Sequence, residues 1–138
     1  MEPHILFSLY LQPLPSFILD KEKYTLWSDG RIEIDKGLFT SFELIKDPNE
    51  KPTINKDIAE RVSLFIKEHQ NEINSLPAEI FNECVQDGYY YEIQFNNKKI
   101  SGSNFLDMDC KGCKQYEDML TINKLIKKLK KSCANTGL

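Results

Sequence analysis

Two short turn signals, far apart in the chain, do most to limit what this sequence can fold into. Ser28-Asp29-Gly30-Arg31 lies between Tyr24–Trp27 and Ile32–Asp35, two runs of strand-forming residues. Asn96-Asn97 lies between Tyr89–Phe95 and Lys98–Ser103. Glycine takes a positive φ without steric cost, and asparagine tolerates the left-handed region, so each pair suits a hairpin turn. Tyr24 and Leu26, then Ile32 and Ile34, repeat with the period of two expected of half-buried strands. Ile5–Leu11 reads as a first strand, stopped by Pro13 and Pro15. Leu38–Ile45 reads as a further strand of the same meander, and Lys46–Lys56 as a polar loop.

Between the hairpins the period changes. Ile58, Val62, Phe65, Ile66, His69 and Ile73 fall on one face at helical spacing. Asn55 is placed to cap that helix, with Asp57 and Glu60 near its positive end. Leu76-Pro77 ends it, and Pro77 suits the first turn of a short second helix over Ala78–Cys84. A last helix spans Lys114–Lys131, with Tyr116, Met119, Leu120, Ile122, Ile126 and Leu129 inward, and Ser132–Leu138 as a frayed tail. The expected architecture is α+β: an antiparallel sheet built from a meander and a second hairpin, with two main helices packed on one face. At 138 residues the chain has the size of one domain, residues 1–138.

Charge narrows the function classes. Residues 114–138 hold six lysines against Glu117 and Asp118, a balance of +4, so the overall −3 leaves −7 for residues 1–113. An acidic body argues against nucleic acid as the partner, because phosphates need a basic face. It suits a protein partner of positive charge. The lysines at 124, 127, 128, 130 and 131 have a structural reason to sit where they do, since cations are favoured at a helix C-terminus. No run is long and apolar enough to span a membrane, and the N-terminus lacks the pattern of a secretory signal. The expected location is therefore the cytoplasm, with Cys84, Cys110, Cys113 and Cys133 as thiols.

Catalytic patterns are scarce. His4 and His69 lack a nucleophile partner in sequence, and His69 reads better as a satisfied residue on the apolar face of its helix. No Gly-x-Ser-x-Gly, no phosphate-cradling glycine loop and no His-Glu-x-x-His occurs. Asp107-x-Asp109-x-Lys111-Gly112 echoes a calcium loop, but Lys111 stands where an oxygen ligand is needed. Cys110-Lys111-Gly112-Cys113 is the sharpest local motif. It reads as half of a zinc site, as a redox pair, or as two small residues before a helix, and a structural zinc site would need four ligands. The expectation is no enzyme and no cofactor.

Trp27, Asp29, Glu33 and Asp35 on the first hairpin, with Tyr89, Tyr91 and Glu92 on the Tyr-rich strand, are the expected partner-binding residues. Aromatic side chains ringed by acids suit an anchor on a basic protein. Along that strand Tyr90 must face opposite to Tyr89 and Tyr91. This organisation, an acidic body with the Ser28-Asp29-Gly30 and Asn96-Asn97 hairpins, aromatic strands and no catalytic set, resembles the small immunity proteins of bacterial toxin systems, including those of contact-dependent inhibition. The resemblance implies a cytoplasmic domain that neutralises a cognate toxin, such as a nuclease, by occluding its active site. A metal-binding or thiol-active protein using Cys110 and Cys113 is the alternative, and an accessory domain a third.

Overall fold

Strand β1 (Ile5–Leu14) runs through the centre of the sheet and sets the frame for everything else. The computed structural model describes residues 2–14, 22–35, 53–84, 88–106 and 111–134. The expected strand over Leu38–Ile45, the polar loop over 46–52 and residues 135–138 lie outside them. The first hairpin forms as its turn chemistry requires: β2 (Glu22–Trp27) and β3 (Arg31–Asp35) pair antiparallel, with Gly30 at a φ of 92°. The second forms likewise from β5 (Gly88–Phe95) and β6 (Lys98–Ser103), with Asn96 at a φ of 50°. A two-residue strand, β4 (Thr53–Ile54), adds at the edge of β3, so the sheet order is β4-β3-β2-β1-β5-β6. Neighbouring strands all pair antiparallel.

Register sorts the side chains by face. Phe7, Leu9, Tyr24, Leu26, Ile32, Ile93, Phe95 and Ile100 point one way into a single cluster of buried side chains. A register shift between Ile5 and Phe7 lets the consecutive Leu6 and Phe7 both enter that cluster. The helices close it: α1 (Lys56–Glu68) brings Ile58, Val62, Phe65 and Ile66, and α3 (Tyr116–Ala134) brings Met119, Ile122, Leu125, Ile126 and Leu129. The fold is thus α+β, an antiparallel sheet of meander plus hairpin with α1 and α3 packed together and on one face.

Helix α1 starts where its cap predicts. The Asn55 side chain accepts a hydrogen bond from the Ile58 amide at 3.1 Å. The Asn55 amide donates to the Gly30 carbonyl at 2.8 Å, which ties the helix start to the first hairpin turn. A Cβ on Gly30 would press on the Asn55–Lys56 backbone at 3.0 Å, so glycine serves both the turn and this close approach. His69 ends α1, stacked on Phe65 at 4.3 Å with Nδ1 2.9 Å from the Phe65 carbonyl oxygen. A six-residue helix, α2 (Gln70–Ser75), follows and buries Ile73.

Two expectations need correction. Ala78–Cys84 is not a helix. The edge of β6 offers unpaired backbone groups, and this segment takes them instead of making its own turns: the Ile80 amide donates to Ser101 at 3.0 Å, Asn82 to Ser103 at 3.0 Å, and Ser101 to Ala78 at 2.9 Å. Glu79 makes a parallel bridge to Ser101. Gly102 permits this, because a Cβ there would overlap the Ile80 carbonyl. The expected tail is also shorter at its start, since α3 continues to Ala134. Cys133 is buried one turn beyond Leu129 and prolongs the apolar stripe of that helix.

Candidate functional site

The face of the sheet turned away from the helices collects the polar and aromatic side chains that register excludes from the core. Across it, β1 supplies Ser8, Tyr10 and Gln12, which sit opposite Gln94, Glu92 and Tyr90 on β5. On the other flank Ser8 and Tyr10 sit opposite Thr25 and Lys23 of β2, and Thr25 opposite Glu33 of β3. Tyr10 and Tyr90 meet edge to face with ring centroids 6.4 Å apart. The Tyr10 hydroxyl donates to Gln12 Oε1 at 2.8 Å, and the Tyr90 hydroxyl to Glu92 Oε1 at 2.9 Å. Partial burial raises the pKa of both phenols, and the nearby Glu92 carboxylate adds to the rise. They therefore stay neutral hydroxyls over the physiological range. At the far end the Arg31 guanidinium lies 4.3 Å over the Trp27 ring and 3.4 Å from Glu33 Oε1. Lys99 reaches Glu92 at 3.7 Å.

The expected partner-binding residues do not share one surface. Trp27, Glu33 and Glu92 lie on this outer face. Tyr89 and Tyr91 have the opposite parity: their rings lie 6.0 Å apart, and Tyr91 packs 5.3 Å from the buried Phe105. Tyr90 and Tyr10 take their place beside Glu92. Asp29 sits at the tip of the first hairpin, where its Oδ1 accepts from the Arg31 amide at 3.0 Å. It borders an open cleft of about 470 Å³ with His4, Ser28, Lys56, Glu60 and Asn96. Asp35 pairs with Lys23 through the backbone, and its side chain lies outside the described residues. The alternation of residues along β5 was legible in the sequence. Which parity faced the helices was not, because that depends on the partner strands.

A second constellation lies at the far edge of the sheet. Cys113 Sγ is 3.9 Å from Cys84 Sγ and 3.8 Å from Asn82 Oδ1. Asn82 also accepts from the Cys84 amide at 3.0 Å and donates through Nδ2 to the Asn104 carbonyl at 3.2 Å. The Asn104 side chain accepts from the Tyr89 amide at 2.8 Å, and its own φ is 53°. Gln115 clamps the same segment from the other side, accepting from the Phe81 amide at 2.9 Å and donating to the Glu79 carbonyl at 2.8 Å. Cys110, the other half of the Cys-x-x-Cys motif, lies outside the described residues. Cys133 is different in kind. Burial pushes its thiol up to about 11, against a smaller opposing pull from the Arg61 charge, so it is a packing residue at neutral pH.

None of three comparisons, with family models, with curated proteins and with solved structures, finds a match for this chain. Among the described residues no helix is long and apolar enough to cross a membrane. No group of three or more His, Cys, Asp or Glu side chains among them is arranged to hold a metal ion.

Proposed function

We propose that this chain is a protein-binding inhibitor of the immunity type, which neutralises a basic toxin domain by covering its active site. The observation that carries the reading is the outer sheet face. There Tyr10 and Tyr90 form an aromatic pair and Trp27 lies at the far end of the same face, all three large and partly exposed, and neither helix packs over them. Such side chains supply anchor energy at low entropic cost, because the sheet already holds their backbones and neighbouring rings limit their rotamers. The acidic balance of residues 1–113 acts at longer range. The face itself mixes Arg31, Lys99, Glu33 and Glu92, two pairs that partly neutralise each other. Net charge therefore speeds the approach of a basic partner, while the Tyr10–Tyr90 pair, Trp27 and the rim pairs set the dock.

Affinity capture from the native lysate, run in parallel with the wild type and a Trp27→Ala/Tyr90→Ala variant, tests this reading. One basic partner at stoichiometric level with the wild type, lost with the variant, is the expected result. The partner's association rate should then fall as salt rises. Retention of the same partner by the variant contradicts the role of this face.

A further inference from the structure

We infer that the outer face of α3 is a docking surface for an anionic lipid membrane, on the side of the molecule opposite the Tyr10–Tyr90 face. The inference is independent of the inhibitor role, because it uses none of the same residues. Lys124, Lys127, Lys128 and Lys131 are all exposed. At 3.6 residues per turn they fall within an arc of about 100° and along about 10 Å of helix. Met119, Ile122, Ile126, Leu129 and Cys133 are buried on the other side of the same helix, so the arc faces away from the core. Residues 119–134 contain no Asp or Glu, and among the described residues none of the four lysines has an ion pair.

The helix dipole does not account for the stripe. Its reach is the last turn of a helix, and of the four only Lys131 stands there. The other three occupy earlier turns, where like charges repel each other: Lys124 and Lys128 are four residues apart, as are Lys127 and Lys131. An anionic surface relieves that repulsion.

A lipid surface fits what surrounds the stripe better than a polynucleotide does. Leu64 of α1 is 58% exposed. It lines a shallow cleft with Arg61 and with Ser132, which follows Lys128 by one turn of α3. An apolar side chain beside cations suits the boundary between headgroups and acyl chains, where phosphates take the ammonium groups and hydrocarbon takes the leucine. A nucleic-acid strand offers nothing to Leu64, and its phosphates would run past the short stripe towards the exposed Glu117. The exposed charges of α1 balance, Lys56, Arg61 and Lys67 against Asp57, Glu60 and Glu68, so they add no net repulsion. Glu33 and Glu92 lie on the outer sheet face. They are further from the membrane by more than a helix diameter of about 10 Å, which exceeds the Debye length of about 8 Å at physiological salt. Docked this way, the protein leaves Tyr10, Tyr90 and Trp27 open to a partner.

Co-sedimentation of the full chain with two kinds of vesicle tests the surface: phosphatidylcholine alone, and phosphatidylcholine with about one third phosphatidylglycerol. Binding to the anionic vesicles only, lost as salt rises to about 0.5 M, is the expected result. Lys124→Gln, Lys127→Gln, Lys128→Gln and Lys131→Gln should each weaken it about fivefold, and the four together should abolish it without lowering the urea midpoint. Fluorescence reads the orientation, since Trp27 is the one native tryptophan. Leu64→Trp in a Trp27→Phe background should shift to the blue on the anionic vesicles, while Trp27 in the wild type should not. Undiminished binding by the quadruple variant overturns the inference, as does a blue shift of Trp27 with none at position 64. No binding to either vesicle, or equal binding to both, overturns it too. So does tighter retention at the same salt by mixed-sequence duplex DNA or by polyglutamate, which would assign the stripe to a nucleic acid or to an acidic protein.

Discussion

The two faces of the sheet are built from the same strands yet answer to different physics. On the helix side Phe7, Leu9, Tyr24, Leu26, Ile93 and Phe95 are almost fully buried and packed against α1 and α3. Phe7 and Phe95 meet across β1 and β5 with centroids 5.4 Å apart. On the outer side Tyr10, Tyr90 and Trp27 are comparably large but only partly buried, and their contacts are polar or charged: the phenols donate to Gln12 and Glu92, and the Arg31 guanidinium lies over the indole ring. One set of aromatics holds the fold and the other rides on it. Size and aromaticity alone do not separate a core residue from a surface anchor. Parity and what lies opposite do.

Substitutions can break this contrast or sharpen it. Phe7→Ala should have the largest effect, a loss of about 3–5 kcal/mol in urea unfolding, because it opens a cavity between sheet and helices. A loss no greater than that of an outer-face tyrosine would erase the distinction between the faces. Gly102→Ala should cost about 1–3 kcal/mol, since the new methyl must displace the Ile80 carbonyl. Its second signature is faster hydrogen exchange at the amides of Ile80 and Asn82, which the displaced segment would no longer pair with β6. Unchanged exchange there would mean that the edge tolerates the side chain. Asn55→Ala should cost about 1 kcal/mol by removing the α1 cap. Its effect belongs to the helix layer and should leave the outer face's binding unchanged once stability is accounted for.

Local chemistry explains which parts of this plan could be read from residues alone. The two hairpins were legible because Asp29-Gly30 and Asn96-Asn97 solve their backbone problem within four residues. Helix α1 was legible because its stripe from Ile58 to Ile66 and its Asn55 cap agree. The segment 78–84 is ambiguous in sequence because Pro77 and a short apolar pattern fit a helix as well as an edge strand. The deciding fact, a glycine at 102 that lets Ile80 approach β6, stands more than twenty positions away. A separation of 29 positions likewise hid the approach of Cys84 to Cys113 at the sheet edge. Nothing near Cys84 announces Cys113 as its neighbour, while the Cys-x-x-Cys spacing draws attention to Cys110. Along β5 alternation gives two sets, Tyr89 with Tyr91 and Tyr90 by itself, without saying which one the helices cover. Register with β1 decides it, placing Tyr90 opposite Gln12 and Glu92 opposite Tyr10.

The central claim is that the outer tyrosine pair is carried by the fold and not required for it. Urea unfolding of a Tyr10→Ser/Tyr90→Ser variant, measured beside Phe7→Ala, tests it most directly. The account predicts a cooperative transition and a loss well under half that of Phe7→Ala, because two partly exposed rings are removed without opening a cavity. A loss equal to or larger than that of Phe7→Ala would contradict it, and would place the pair among the residues that hold the sheet together.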